Sequence, residues 1–242
     1  MRQFGLIGFP LSHSFSKKYF TQKFSEEGID AVYDNYLLEN ISDLPGVLND
    51  HPALEGINVT IPYKQSVIAH LHTLSEVVEE TGACNCIRIR NNMLEGFNTD
   101  VIGFEAALSS HLTPVHKKAL VLGTGGAAKA VCYVLDKKGI PWVQASRNPK
   151  GEMIDYKSIS ASLIKDHQLI INTTPLGMFP DTATFPELPY DAIGKANYLF
   201  DLVYNPSITL FLQKGRQQGA IIENGYRMLE LQAEESWKIW NS

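Results

Sequence analysis

Ala119-Leu120-Val121-Leu122-Gly123-Thr124-Gly125-Gly126-Ala127-Ala128 is the stretch whose reading decides the architecture of this chain. Four apolar residues predict a short buried strand. Residues 126–138 predict a helix, with Gly139 as its left-handed stop. Between strand and helix stands the pattern G-x-G-x-x-A. Its first glycine permits a tight turn, its second lets a pyrophosphate approach the backbone, and its small last position allows close helix–strand packing. The helix N-terminus adds free N–H groups and the positive end of a dipole. A glycine-rich turn without a ligand is the plain alternative. The strand before, the helix after and a further strand over residues 142–145 favour a nucleotide, with Gly123, Gly125, Gly126 and Ala127 as candidate contacts.

The end of that further strand bears on which nucleotide. An NAD site usually places Asp or Glu there to accept hydrogen bonds from ribose hydroxyls. This chain has Ser146-Arg147-Asn148, with Lys150 close behind. A guanidinium at that point suits a 2′-phosphate, which it binds by charge-assisted bidentate hydrogen bonds. The position therefore predicts NADP, and the missing acidic residue argues against S-adenosylmethionine.

Outward from this unit, short apolar strands alternate with helical segments throughout, the signature of an α/β protein. Strands are predicted over 4–8, 31–36 and 57–61, with a helix opened by Ser16 and stopped at Gly28, and a short helix opened by Ser42. Helical segments follow up to Gly82. Residues 86–90 and 93–97 flank Asn91-Asn92, a pair suited to a type I′ hairpin because Asn tolerates positive φ at both positions. Beyond 119–145, strands are predicted over 169–171, 198–203 and 220–222, and helices over 209–218 and 228–240. In the last of these, Leu229, Ala233, Trp237 and Trp240 share one face and read as core. The boundary between the two cycles falls near 98–113, giving two α/β lobes with a cleft between them.

Bulk properties agree with an ordinary globular protein. Of 242 residues, 44% are hydrophobic and 19% charged, and the net charge is −5, which disfavours nucleic acid or an acidic membrane surface as partner. No apolar run approaches the roughly 20 residues needed to span a bilayer. Arg2 before Phe4-Gly5-Leu6-Ile7 reads as a first strand, not a signal peptide, so a cytoplasmic location is expected. The 3 cysteines, Cys84, Cys86 and Cys132, form no disulfide framework, and Cys84-x-Cys86 lacks a second ligand pair for zinc. Buried cysteine is the better reading, and no metal is expected.

The first lobe carries dense polar clusters. Ser12-His13-Ser14-Phe15-Ser16 follows the first strand, Asn58-Val59-Thr60-Ile61-Pro62-Tyr63-Lys64 ends the third, Asn85 precedes the hairpin, and Asn98-Thr99-Asp100 ends it. Side chains at strand ends line the crevice of open α/β sheets. Hydroxyls, amides, one lysine and one aspartate suit a neutral-to-anionic polyol, and His13 reads as a packed loop residue. Lys64 and Asp100 end neighbouring elements. A protonated lysine can polarise a carbonyl and deliver a proton, whereas a carboxylate at neutral pH can only accept, so Asp100 is expected mainly to orient Lys64.

With these residues quoted, the chain resembles the shikimate dehydrogenase family. Gly8-x-Pro10-Leu11-x-His13-Ser14-x-Ser16, the 58–64 segment, Asn98-Thr99-Asp100 and the glycine loop match it in order and spacing. So do Asn172-Thr173-Thr174-Pro175-Leu176-Gly177-Met178, Asp201-Leu202-Val203-Tyr204-Asn205-Pro206 and Gly225-x-x-Met228-Leu229-x-x-Gln232. The resemblance implies reduction of 3-dehydroshikimate to shikimate with NADPH, in aromatic amino-acid biosynthesis, by a monomer or homodimer. It implies that Ser14 and Ser16, with Tyr204, hold the substrate carboxylate. Lys64, Asn85, Asp100 and Gln232 would meet ring hydroxyls and the reacting oxygen, with Thr60 nearby. The glycine loop, Ser146, Arg147 and the Asn172-Thr173-Thr174 turn, with Thr173 as its contact, would lie on the cofactor side.

Because Gln232 follows the nucleotide segment, the resemblance also implies that the last helix returns to the first lobe. A substrate-binding domain is thus expected over 1–100 with 225–242, and a Rossmann-like NADP domain over 101–224. The chain departs from the family pattern at Lys17, where proline is usual, at Tyr19-Phe20, which replace a His-Asn pair, and at Cys86, where threonine is usual. Alternatives are a quinate/shikimate paralogue with NAD or dual cofactor use, and a nucleotide-sensing relative without turnover.

Overall fold

The computed structural model describes residues 1–11 and 15–242. In chain order its elements are β1 (Arg2–Gly8), α1 (Phe15–Glu26), β2 (Ala31–Leu37), α2 (Leu44–Asp50), β3 (Leu54–Val59), β4 (Thr73–Leu74), α3 (Glu76–Thr81), β5 (Cys86–Arg90), β6 (Met93–Phe97) and α4 (Thr99–Leu108). There follow β7 (Ala119–Leu122), α5 (Gly126–Lys137), β8 (Trp142–Ser146), β9 (Ile154–Asp155), α6 (Ala161–Asp166), β10 (Leu169–Asn172), β11 (Tyr198–Asp201), α7 (Leu210–Gln217), β12 (Ile221–Glu223) and α8 (Tyr226–Asn241). They form two compact α/β units. One comprises Met1–Ile102 with Leu229–Ser242, the other Gly103–Met228, and the chain crosses within α4 and again within α8.

The first unit is a mixed sheet of order β2-β1-β3-β5-β6-β4. Period-two alternation sends side chains of β1 to opposite faces. Phe4 and Leu6 join Phe20, Phe24, Tyr33, Ala233 and Trp240. Ile7 joins Leu44, Ile57, Val67, Val78 and Leu94. The Trp240 indole N–H donates to the Ile87 carbonyl at 3.0 Å, so α8 does belong to this unit. A Cβ on Gly56 would collide with that indole, which explains the glycine in β3. The Asn91-Asn92 hairpin forms with φ of 49° and 62°.

Several local readings need correction. α1 begins at Phe15, so Ser16 lies inside its first turn and does not cap it. The short helix near residue 42 starts as a 3₁₀ turn capped by Asn40, whose Oδ1 accepts from the Ser42 amide at 3.2 Å. The third strand runs earlier than its apolar residues suggest, over Leu54–Val59, and Ile61 is 67% exposed beyond it. Cys84 and Cys86 are both fully buried, and burial pushes the Cys84 thiol up to about 12.

The second unit is an all-parallel sheet of order β12-β11-β10-β7-β8-β9. Counted from β7, this is the 3-2-1-4-5-6 order of dinucleotide-binding folds, with its reversal between β7 and β10. β7, β10 and β11 are buried along their whole length, as strands covered on both faces must be. Ligands of such sheets bind beyond the strand C-termini at that reversal, which is where the glycine loop and Thr173 emerge.

Candidate functional site

In the first unit the expected polar residues converge. Lys64 Nζ donates to Asp100 Oδ2 at 2.6 Å, with side-chain exposures of 18% and 9%. Asp100 Oδ1 accepts from Asn85 Nδ2 at 2.9 Å, and Asn85 Oδ1 accepts from the Thr99 amide at 2.7 Å. The Thr99 hydroxyl donates to Gln232 Oε1 at 3.3 Å, and Gln232 Nε2 donates to the Leu229 carbonyl at 3.0 Å. Three separate stretches, around 64, 85 and 98–100, thus meet α8 at one spot. The Lys64 carbonyl accepts from the Cys84 amide at 2.7 Å and the Asn85 amide donates to the Phe97 carbonyl at 3.1 Å, so backbone pairing holds the side chains in place. A buried ion pair adds little net stability, because desolvation offsets the attraction. Its occurrence among buried amides and hydroxyls therefore marks a site more than a brace.

Ser16 lies in the first turn of α1, with its hydroxyl near the Tyr33 side chain. Tyr33 donates to Asn58 Oδ1 at 2.9 Å, and Asn58 Nδ2 donates to Ser236 Oγ at 2.9 Å. The Ser236 and Thr99 hydroxyls are 3.3 Å apart, so a continuous polar chain runs from Tyr33 to Asp100 and Lys64. Thr60 is half-buried where β1 and β3 end. Its Cγ2 stands where a Cβ on Gly8 would fall, and its amide donates to the Ile7 carbonyl at 2.9 Å. Ser14, like His13, lies outside the described residues. Tyr204 belongs to the second unit, past β11, so the cluster of the first unit does not contain it.

In the second unit the glycine loop has the form its sequence predicts. Gly123 adopts φ +109°, a region that disfavours side chains, and a Cβ there would stand 2.6 Å from Thr173 Oγ1. Thr173 in turn donates to the Leu122 carbonyl through its hydroxyl at 2.7 Å and its amide at 2.9 Å. Gly125 caps α5 in extended backbone, and the space beside its Cα is open for 4 Å. Ala128 and Ala130 are fully buried, giving the close packing that small residues allow. Ser146 closes β8 and its Oγ accepts from the Asn148 amide at 3.1 Å, leaving Arg147 exposed just beyond. Open space at a helix N-terminus with a cation after the second strand fits a dinucleotide phosphate.

Comparison with known proteins agrees. Residues 6–87 match the family model described as the shikimate dehydrogenase substrate binding domain. A shikimate dehydrogenase (NADP(+)) of Clostridium beijerinckii is 37% identical over 250 residues, spanning 99% of this chain and 92% of that protein. The chain belongs to the shikimate dehydrogenase family. Among solved structures, the shikimate 5-dehydrogenase of Thermus thermophilus in complex with NADP(H) and shikimate is 29% identical at TM-score 0.88, over 99% of this chain and 93% of that one. A quinate dehydrogenase of Corynebacterium glutamicum in complex with NAD is 26% identical at TM-score 0.86, over 99% and 93%.

Some members of this polar cluster carried no assigned role in the sequence. Thr99 and Ser236 are fully buried, and Asn58 nearly so. Ser236 sits one turn beyond Gln232 on the face that reads as core, and a small polar residue in such a stripe was the available signal. Tyr33 reads as an ordinary strand aromatic. Only the fold reveals its hydroxyl against Asn58.

Proposed function

We propose that this chain reduces 3-dehydroshikimate to shikimate with NADPH. The observation that carries the reading is the part-buried Lys64–Asp100 pair, 2.6 Å apart and tied to Asn85, inside a unit rich in hydroxyl and amide groups. The chemistry NADPH would supply when bound is a hydride for the carbonyl carbon. The chain's own residues must then polarise the carbonyl oxygen and give it a proton. Lys64 has three donor positions, one engaged by Asp100, so its ammonium remains able to donate to substrate. Asp100 is held by Asn85 and fixes the lysine's direction. Asn85 and Gln232 would meet ring hydroxyls, Thr60 lies at the neighbouring strand end, and Ser14 and Ser16 would donate to the substrate carboxylate.

On the cofactor side, Gly123, Gly125, Gly126 and Ala127 would admit the pyrophosphate, Thr173 would brace the loop, and Ser146 and Arg147 would take the 2′-phosphate. Residues 1–102 with the C-terminal helix act in this reading as the substrate domain, and 103–228 as the NADP domain. Lys64→Ala is expected to lower kcat by about two to four decades, the range for acid–base catalysis, while shikimate affinity falls far less. Near-normal kcat in that variant would move the proton source elsewhere. The NAD-bound quinate dehydrogenase among the structural neighbours supports one second reading, a quinate-using paralogue. NADP⁺ and NAD⁺ reduction with shikimate and quinate, measured side by side, separates the two.

A further inference from the structure

In the second unit a fully buried carboxylate, Asp201, ends β11 directly beside Asn172, its register partner at the end of β10. Asp201 Oδ1 accepts from Asn172 Nδ2 at 2.9 Å and from the Val203 amide at 3.0 Å. Asp201 Oδ2 accepts from the Thr209 hydroxyl, the N-cap of α7, at 2.5 Å. One carboxylate therefore ties together the ends of two adjacent strands and the start of a helix. Of the segments placed on the nucleotide side it touches only Asn172, and the reading of the site gives the carboxylate itself no task.

Its consequence runs through Asn172. A carboxamide has a donor end and an acceptor end, and an acceptor opposite one end fixes which way it points. With Nδ2 turned to Asp201, Asn172 presents Oδ1 to the next segment, where it accepts from the Thr174 hydroxyl at 2.6 Å and the Thr174 amide at 3.1 Å. Thr174 Oγ1 accepts in turn from the Leu176 amide at 3.3 Å. The segment so held carries Thr173, whose hydroxyl stands 2.6 Å from the position a Cβ on Gly123 would take. Burial raises the Asp201 carboxyl to about 7, against the opposing pull of Thr209, Val203 and Asn172. A group so costly to bury, with every polar contact directed at loop ends, is placed for orientation.

We propose that Asp201 is a positioning residue for the nucleotide loop: by fixing the Asn172 amide it sets the 172–174 turn against Gly123, and thereby the shape of the phosphate-binding turn. This rests on the assignment of NADPH to the second unit.

The test is fluorescence titration of NADPH, and of shikimate separately, on the full chain and three variants. Asp201→Ala is expected to weaken NADPH binding about five- to tenfold, the scale of one lost orienting hydrogen bond, with shikimate affinity unchanged. Asp201→Asn should stay within about threefold of wild type, because the Val203 amide keeps an oxygen facing Asn172 while the new amide meets a hydroxyl that can accept. Thr209→Val removes a different hydrogen bond to the same carboxylate without touching the Asn172 arm, so it should lower stability and leave NADPH affinity intact. Wild-type NADPH affinity in Asp201→Ala, or equal weakening in Thr209→Val, overturns the proposal. If Asp201→Ala does not fold, Asn172→Ala decides: weakened NADPH binding supports the mechanism and unchanged binding rejects it. A wild-type chain that binds no NADPH refutes instead the assignment on which this rests.

Discussion

Gly123 and Gly125 should fail differently when given a methyl group. At Gly123 the backbone φ of +109° is strained for any L side chain, which costs roughly 1–3 kcal/mol. The added Cβ also meets Thr173 Oγ1 at 2.6 Å, and that hydroxyl is committed to the Leu122 carbonyl at 2.7 Å. Moving it aside forfeits a hydrogen bond worth about 1 kcal/mol. Gly123→Ala is therefore expected to destabilise the chain by about 2–4 kcal/mol. At Gly125, φ is −74° and, among the described residues, nothing lies within 4 Å of the new Cβ. Alanine is a poorer N-cap than glycine, but the unfolded chain also loses freedom. The two effects, each about 0.5–1 kcal/mol, nearly cancel. Gly125→Ala should leave the urea midpoint unchanged while weakening NADPH binding by about tenfold or more, since the methyl fills the space a phosphate would use. Urea unfolding followed by circular dichroism, paired with NADPH fluorescence titration, separates the effects. Wild-type NADPH affinity in Gly125→Ala would refute the passage of phosphate past that point, and a wild-type midpoint in Gly123→Ala would refute the strain argument.

Two further outcomes follow from the second unit. Arg147→Ala should raise the NADPH KM by roughly tenfold to a hundredfold, the worth of a charge-assisted phosphate contact, with little effect on NADH; steady-state kinetics with both cofactors checks this, and equal losses would contradict it. For Asp201, burial lifts the folded carboxyl from its ordinary 3.8 to about 7, so between those values the folded chain keeps a proton that the unfolded chain has released. Stability then falls as pH rises through that window and levels off above about 7, by up to about 4 kcal/mol relative to Asp201→Asn. Parallel unfolding curves at pH 5 and pH 8 should register about 2.5–3 kcal/mol of it, since part of the change lies below pH 5, and a pH-independent gap between the two proteins would exclude it.

What the sequence made legible is what short-range rules govern. The glycine loop, the Asn91-Asn92 hairpin and the apolar stripe of α8 each follow from spacing within a few residues. Two-residue strands such as Thr73–Leu74 and Ile154–Asp155 are too short to show any period and exist only through their neighbours. β3 was displaced because Glu55 and Gly56 do not look like strand residues. Gly56 is there for Trp240, which lies far along the chain. The same distance hides Tyr33, Ser236 and Asp201, whose partners come from other elements. Lys64, Asn85, Asp100 and Gln232 were recoverable because family motifs carry them together. Which of them touch one another was not.

The return of α8 has a consequence for how this chain comes into being. Phe4, Phe20, Phe24 and Tyr33 pack against Trp237 and Trp240, which are made only after the whole second unit. During synthesis the first sheet emerges early but lacks the surface that closes its aromatic face, while all of Gly103–Met228 is still to be added. At about 5–20 residues per second, that gap lasts on the order of ten seconds. The later unit carries its own core and can settle first, so the earlier segment is the one completed last. An interrupted or C-terminally clipped chain would leave four aromatic side chains without their cover, a ready target for quality-control factors that bind exposed apolar surface.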